Sequence, residues 1–222
     1  LPDSITGMGF RVFYNCTNLS KINYPKSWTE SLNCNYNYGN VFAGCSSLKT
    51  VELPEGITTI APYAFANHKD LEEIKLPESL TSVGNYAFEN CTGLTELKLP
   101  DSITSMGSRV FLNCSNLSKV NYPKNWTECP WDGSEGRVFE GCSSLKEIEV
   151  PEGVRTIAPY AFADTKHLEK ITLPSTLESI GGSSMRWCTG LKEIELPENL
   201  ETIGSYAFAY CDSLTSVTIP DS

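Results

Sequence analysis

A period of about 23 residues runs through the whole sequence. Phenylalanine recurs at this spacing, stretched to 28 or 29 residues at two places, and Met185 takes its position once. A fixed period in the twenties is typical of solenoid proteins, in which each repeat unit packs only against its neighbours. We therefore expect one elongated coil of nine repeat units, called rungs below, instead of a globule with a single core. The periodic phenylalanines are Phe13, Phe42, Phe65, Phe88, Phe111, Phe139, Phe162 and Phe208.

Each rung repeats one succession of patterns, seen most clearly in residues 76–99, LPESLTSVGNYAFENCTGLTELKL. The alternation at the end of this segment predicts a short strand, which the next proline ends because proline cannot donate to a β ladder. A small residue such as Gly84 permits a tight corner or a close approach between backbones. The segment from Tyr86 to Cys91 predicts one packed helical turn, since it is too short for an independent helix. Each rung should therefore run as strand, corner, extended piece and helical turn.

The pattern L-P-x-x-L-x-x-I-G-x-x-A-F-x-x-C-x-x-L-x-x-I-x-L resembles the BspA-like leucine-rich repeats of bacterial and protist surface proteins. The resemblance extends over essentially all 222 residues. It implies a leucine-rich repeat solenoid of the β-rich α/β class, a curved right-handed coil with a parallel sheet on one face. It also implies a secreted or cell-surface protein that binds host or neighbouring-cell proteins, as in adhesion.

A longer repeat is superimposed on the short one. The first thirty residues return at 99–128, which indicates an internal duplication of residues 1–98 as 99–195. The chain opens with LPDS and closes with IPDS at the same phase of the repeat. We therefore expect a single solenoid domain, residues 1–222, that is a fragment of a longer array. Apolar rungs left bare at both ends would permit end-to-end self-association.

Both copies of the duplication contain an enlarged rung, residues 24–52 and 122–149, with six and five extra residues. Trp28 and Trp126 occupy the first leucine position of these rungs, so we interpret them as core residues. The extra residues form candidate loops, and loops on a rigid scaffold often carry recognition. A purely structural role, covering the core between rungs, is the alternative. The candidate binding residues in these loops are Tyr36, Tyr38, Trp131 and Asp132.

The outward positions of the predicted strands have mixed charge and no aromatic residue. If this sheet lines the concave face, as in leucine-rich repeats generally, it can support a broad, weak and salt-dependent protein interface. The candidate contacts on this face are Lys49, Glu73, Lys146 and Glu147.

Seven of the nine cysteines occupy one repeat position, which we call the cysteine slot; His68 and Thr165 fill it in the other two rungs. Equivalent residues of adjacent rungs should lie about 4.8 Å apart with parallel Cβ vectors, which does not suit a disulfide. We expect a ladder of buried thiols. Cys34 and Cys129, in the two enlarged rungs, should not pair with each other. Cysteine and histidine spacing also fails to match zinc sites, so we expect no metal and no cofactor.

Other function classes find little support in the sequence. His68 and His167 lie almost one hundred residues apart, and no motif sets a nucleophile against a base, so we expect no enzyme. A net charge of -10 argues against nucleic acid as a partner. Apolar runs fall short of the roughly 18 residues that a membrane span needs, so we expect no membrane insertion of this segment. A protein-binding module and a structural spacer that projects another domain remain as alternatives.

Overall fold

A computed structural model describes residues 1–32, 41–129 and 136–219. These residues form a parallel-sheet solenoid of about seven turns with about 23 residues per turn, and they contain no helix. The leucine-rich repeat solenoid predicted above is thus confirmed, but the count of nine was slightly too high. Residues 19–22 of the first predicted rung form no strand, and both strands of the last predicted rung are exposed.

The described residues contain sixteen short strands that fall into two sets. Each strand of the first set lies just before the proline that ends it, as the sequence predicted. The second lies in the piece between the proline and the corner, where we predicted only extended chain. The first set is β3 (Thr50–Glu52), β5 (Glu73–Lys75), β7 (Glu96–Leu97), β9 (Lys119–Val120), β10 (Glu147–Glu149), β12 (Lys170–Thr172), β14 (Ile194–Glu195) and β16 (Val217–Thr218). The second set is β1 (Gly7–Gly9), β2 (Glu30–Leu32), β4 (Thr59–Ile60), β6 (Ser82–Val83), β8 (Ser105–Met106), β11 (Thr156–Ile157), β13 (Ser179–Ile180) and β15 (Thr202–Ile203).

Strands of successive rungs pair in parallel and in register with the repeat. In the first set Val51 lies opposite Ile74, and in the second set Ile60 lies opposite Val83. Strands such as β3 and β5 place one apolar side chain inward and its polar neighbours outward, which is why two or three residues suffice. Stacking therefore puts equivalent residues of adjacent rungs side by side through the whole coil.

The segment predicted to be a helical turn is a succession of tight turns, so that prediction was wrong. In rung 53–75 the N–H groups of Tyr63, Phe65 and Asn67 donate to carbonyls of the next rung at 2.6–2.9 Å. The residues between them donate three positions back within their own rung, as Ala66 does to Tyr63 at 3.1 Å. Every second backbone N–H therefore donates to another rung and is not available for the hydrogen bonds of a helix. We call this side of the coil the turn face.

Left-handed backbone conformations explain why the turn face cannot be helical. Tyr86 and Asn90 have φ of 56° and 55°, and the same two positions recur along the coil. An L-residue in this region costs free energy, and asparagine tolerates it better than most residues. The hydrogen bonds between rungs hold the chain in this conformation and offset that cost.

A column of phenylalanines fills the core, as the sequence predicted. The rings of Phe65, Phe88, Phe111 and Phe139 are stacked with centroids 5.4–5.5 Å apart, and all are fully buried. Such offset stacks add to the free energy of simple area burial. The corner prediction is also confirmed, because a Cβ on Gly84 would lie 2.5 Å from the backbone nitrogen of Pro62. A larger residue there would push two rungs apart.

Candidate binding surfaces

The enlarged rungs carry a buried Tyr–Trp pair. Trp28 and Trp126 are fully buried, which confirms their interpretation as core residues. Tyr24 and Tyr122 stack on them, with ring centroids 4.7 and 4.9 Å apart. Each tryptophan also donates its indole N–H to a backbone carbonyl two residues later at 2.8 Å. The two aromatic side chains together fill the wider cross-section of an enlarged rung.

The tyrosine hydroxyl replaces a backbone acceptor that the enlarged rung does not supply. In a regular rung the N–H at the corner donates to the previous rung, as Gly84 does to Ile60 at 2.8 Å. Ala158 stands at the corner after an enlarged rung, and its N–H donates instead to the Tyr122 hydroxyl at 2.9 Å. That hydroxyl in turn donates to the Trp126 carbonyl at 2.9 Å. Burial raises the pKa of the Tyr122 phenol well above its usual value, so it remains a neutral donor.

An asparagine completes the support of the enlarged rung. The side-chain amide of Asn121 accepts from the N–H of Leu99 at 2.7 Å and donates to its carbonyl at 2.9 Å. In a regular rung a backbone carbonyl has the first of these roles, as when Lys75 accepts from Leu53. The supporting residues form one motif, Asn-Tyr-Pro-Lys-x-Trp, present at 23–28 and 121–126. The role of Tyr24 and Tyr122 was not predicted from the sequence. The signal was visible, because most rungs have leucine directly before the proline and these two have tyrosine.

The loop residues predicted to bind a partner, Tyr36, Tyr38, Trp131 and Asp132, lie outside the described residues. The described chain approaches the second of these loops as far as Cys129 and resumes at Gly136. Gly136 has a φ of 63°, and a Cβ there would lie 2.9 Å from the Cys129 sulfur. The two ends of the second insertion are therefore close together.

The outward side of the first strand set is called the strand face below. The four contacts predicted on it fall into two groups. Lys49 and Glu73 are exposed on adjacent rungs, and Lys146 and Glu147 are exposed on another rung with two rungs between the groups. Lys49 forms an ion pair with Glu72 at 2.7 Å, which raises the pKa of the lysine. Lys146 approaches Glu169 at 3.9 Å, and Lys192 contacts the same carboxylate. Much of the charge on this face is thus balanced between neighbouring rungs.

A network of charged and aromatic side chains on the turn face was not predicted. Arg137, the second residue after the loop at 130–135, lies 3.1 Å from Asp164 and packs over the Trp187 ring at 4.8 Å. In the preceding rung, Arg109 forms an ion pair with Glu140 at 2.8 Å. The first half of the chain has Asn67 and Asn90 at the positions of Asp164 and Trp187, so this network belongs to the second half alone. It fixes one end of the second loop to three rungs.

The prediction of buried thiols in the cysteine slot is confirmed for five of the seven cysteines, whereas Cys16 is exposed and Cys211 is partly buried. The seven slot cysteines are free, and Cys91, Cys114, Cys142 and Cys188 are fully buried or nearly so. The thiol of Cys114 donates to the carbonyl of Phe88 in the previous rung at 3.0 Å. The same contact is made by Cys45, Cys91, Cys142, Cys188 and Cys211. His68 is buried in the same slot and contacts the Leu48 carbonyl through Nε2 at 2.8 Å. Among the described residues no group of three histidine, cysteine or acidic side chains is placed to hold a metal ion.

The family model for the BspA type leucine rich repeat region matches in six copies over residues 1–38, 35–131 and 135–222. The chain belongs to this family. BspA-type and other leucine-rich repeat proteins are typically protein-binding or surface proteins and generally non-enzymatic scaffolds. No curated protein matches the chain. Within the described ranges, no helix has the length and apolar character needed to cross a membrane.

Two solved structures with TM-scores above 0.5 show the same fold. A leucine-rich repeat protein from Eubacterium ventriosum is 24% identical with a TM-score of 0.67, and the match covers 100% of this chain and 59% of that one. A Treponema pallidum leucine-rich repeat protein is 22% identical with a TM-score of 0.52, covering 84% of this chain and 72% of its own. A leucine-rich cell surface protein from Faecalibacterium prausnitzii is 24% identical with a TM-score of 0.44, covering 98% and 71%. The chain therefore spans less than two thirds of the length of the Eubacterium protein.

Proposed function

We propose that this BspA-type solenoid is a non-enzymatic protein-binding module of a secreted or cell-surface protein. Its role is adhesion or interaction with proteins of a host or neighbouring cell. The loops of the two enlarged rungs make the main contacts through Tyr36, Tyr38, Trp131 and Asp132. Tyrosine and tryptophan often dominate the free energy of protein interfaces, because they bury a large area with few rotatable bonds.

The support beneath the loops is the observation that carries this proposal. Regular rungs stack without a fully buried Tyr–Trp pair, so the coil itself does not need one. Both enlarged rungs nevertheless retain the same asparagine, tyrosine and tryptophan, which restore the hydrogen bonds that the insertion interrupts. A scaffold that keeps such a device twice is consistent with loops that have a use beyond the fold.

The strand face provides a secondary contact area in this proposal. Lys49, Glu73, Lys146 and Glu147 are exposed and carry charges of both signs. Because the ion pairs of Lys49 with Glu72 and of Lys146 with Glu169 are solvent-exposed, a partner can exchange them at little cost in free energy. Binding through this face should weaken as salt concentration rises.

A structural spacer is the second candidate. The pairing of Lys49 with Glu72 and of Lys192 with Glu169 leaves much of the strand face internally balanced, as a surface without a partner would be. In that case the coil sets a distance between other domains, and changing the loops has no effect on any binding.

A binding screen separates the two candidates. The chain is tested by biolayer interferometry against extracellular-matrix and cell-surface proteins, first as wild type and then as the triple variant Y36A/Y38A/W131A. We expect the triple variant to lose at least about tenfold in affinity for any protein found, since buried aromatic contacts are worth more than about 1.4 kcal/mol. Tyr210→Ala is the matched control, because Tyr210 is exposed on a regular rung.

Two results would contradict the loop assignment. If the triple variant binds as tightly as Tyr210→Ala, the contacts lie elsewhere on the coil. If no protein binds at any salt concentration, the spacer is the better account. Circular dichroism of each variant shows whether the coil has remained folded.

A further inference from the structure

Enlarged rungs are joined to the following rung by fewer backbone hydrogen bonds than regular rungs. On the turn face of a regular rung, Phe65 and Asn67 donate their N–H groups to the next rung at 2.8 and 2.6 Å. The first enlarged rung has Phe42 and Gly44 at these positions, and neither N–H group donates to the described part of the next rung. Side chains must therefore hold the coil together at this place.

The phenylalanine column is also looser after each enlarged rung. The rings of Phe42 and Phe65 are 5.7 Å apart and inclined by 24°, and those of Phe139 and Phe162 are 6.2 Å apart and inclined by 16°. Between regular rungs the spacing is 5.4–5.5 Å and the inclination is at most 8°. We call the contact between rungs 24–52 and 53–75 the first junction, and the contact between rungs 122–149 and 150–172 the second junction.

His68 supplies a side-chain contact at the first junction. Its imidazole is fully buried in the cysteine slot, and Nε2 contacts the carbonyl of Leu48 in the enlarged rung at 2.8 Å. Because a carbonyl can only accept, Nε2 carries the proton of the neutral ring. Within the described ranges, Nδ1 has no hydrogen-bond partner. A second proton on this ring would therefore have no acceptor.

The second junction is held by different side chains. Thr165 is buried at the slot position equivalent to His68, and Arg137 of the enlarged rung pairs with Asp164 of the next rung at 3.1 Å. The hydrogen bond from the corner N–H to a tyrosine hydroxyl is common to both junctions. Histidine is the side chain whose charge changes near neutral pH, and threonine takes up no proton. The two junctions should therefore respond differently to acid.

We propose that mild acid opens the coil at one place, the first junction, while the second junction stays closed. Protonated His68 carries a charge and an N–H group that the buried slot cannot satisfy, so the ring must reach water. Few backbone hydrogen bonds oppose this movement at the first junction, and local opening begins where such bonds are fewest. The duplicated coil thus contains one acid-sensitive joint and one insensitive counterpart.

The groups around His68 set the pH at which the joint opens. Burial lowers the pKa of the imidazole below its ordinary 6.5, whereas Asp70 on the same rung acts in the opposite direction. Lys49 of the enlarged rung is already paired with a glutamate of the next rung. The slot neighbours Cys45 and Cys91 stay neutral, because burial raises the pKa of both thiols. Opening should therefore begin as pH falls below about 6.5.

The joint lies beside the rung that carries the first loop. An opening there should weaken contacts that a partner makes through this loop and leave the second loop supported. This consequence rests on the proposed function, whereas the opening itself does not. The opening can therefore be measured on the chain alone, without any partner.

Amide hydrogen exchange of the ¹⁵N-labelled chain, followed by NMR at pH 7.5 and pH 5, locates the opening. Equivalent N–H groups cross the two junctions with the same acceptors, a tyrosine hydroxyl and a lysine carbonyl. These groups belong to Ala61, Glu72 and Glu73 at the first junction and to Ala158, Glu169 and Lys170 at the second. We expect protection factors on acidification to fall at least about tenfold more at the first junction than at the second.

Exchanging the slot residues provides matched variants. His68→Thr gives the first junction the residue of the second and should abolish the loss of protection at pH 5. Thr165→His should transfer that loss to the second junction. Equal protection of both junctions in the wild-type chain at pH 5 overturns the proposal, and this comparison needs neither variant to fold. A loss at the first junction that persists in His68→Thr, or a folded Thr165→His that stays closed, overturns it too.

Discussion

The phenolic oxygen of Tyr122 accepts a hydrogen bond from the backbone N–H of Ala158, 36 residues later, at 2.9 Å. Tyr24 makes the same contact with Ala61. These bonds join an enlarged rung to the next regular one, where the ordinary backbone acceptor is missing. In both enlarged rungs the same tyrosine hydrogen bond therefore replaces a missing backbone hydrogen bond.

Removal of the hydroxyl should therefore be costly. Tyr122→Phe leaves the buried N–H of Ala158 without its acceptor, and we expect the free energy of unfolding to fall by about 1–3 kcal/mol. Urea denaturation followed by tryptophan fluorescence measures the change. Tyr210→Phe, at an exposed phenol, is the control. Equal stability of the two variants would show that the Tyr122 bond contributes nothing.

The phenylalanine column can be tested with two substitutions of one residue, because another rung of the chain already has methionine at this position. Phe111→Ala leaves a cavity between Phe88 and Phe139 and should cost about 3–5 kcal/mol. Phe111→Met should cost less than about 1.5 kcal/mol, because it keeps most of the volume and Met185 fills the same position in another rung. Thermal unfolding of both variants checks the difference. Similar losses would mean that ring stacking, and not volume, determines stability here.

His68 should make the coil sensitive to acid. Burial lowers the pKa of this histidine below its ordinary 6.5, so the folded state keeps it neutral while the unfolded state takes up a proton. Stability is therefore fully present above about pH 6.5 and is lost as pH falls through the region below it. The variant His68→Cys has the residue that most rungs carry in this slot, and its thiol does not take up this proton. We expect the variant to gain stability relative to wild type between pH 7.5 and pH 5, measured by thermal unfolding.

The same experiment has an internal control. Thr165 is the buried slot residue of the equivalent rung and takes up no proton, so Thr165→Cys should leave the pH dependence of the unfolding temperature unchanged. If His68→Cys and wild type lose stability in parallel as the solution is acidified, the buried histidine is not the cause.

The slot cysteines should differ in their reactivity toward alkylating agents, according to their burial. Burial raises the pKa of Cys114 to about 12, and its thiol is covered by the neighbouring rungs, whereas Cys16 is exposed at the first rung. Only the thiolate reacts with alkylating agents. In dilute folded protein at pH 8 we expect iodoacetamide to modify Cys16 and to leave Cys114 unmodified, as read by peptide mass spectrometry. Rapid modification of Cys114 would contradict the packing of the slot.

The repeat positions of this fold could be predicted from the sequence with little error. The phenylalanines, the slot cysteines and the small corner residues are where the period places them, because stacking forces equivalent residues into equivalent surroundings. The helical turn was wrong, since the hydrogen bonds that prevent it run between rungs and leave no trace in the spacing of apolar residues. The left-handed Asn90 was the available hint, as asparagine is common in that conformation.

Features outside the period were harder to predict. The network from Arg109 through Arg137 to Trp187 joins different positions of different rungs, so no alignment of repeats brings it together. The hydroxyl of Tyr122 has its role only because a backbone carbonyl is displaced, which sequence alone does not reveal. The loop residues Tyr36, Tyr38, Trp131 and Asp132 remain a prediction.

The motif at 23–28 and 121–126 has an evolutionary consequence. Its polar groups complete the hydrogen bonding of the coil below each loop, so the coil does not depend on what the loop contains. The two loops already differ in length, with six and five extra residues, and in sequence, while the motif beneath them differs at one residue. Loop sequences can therefore diverge rapidly under selection while the rungs that present them stay constant.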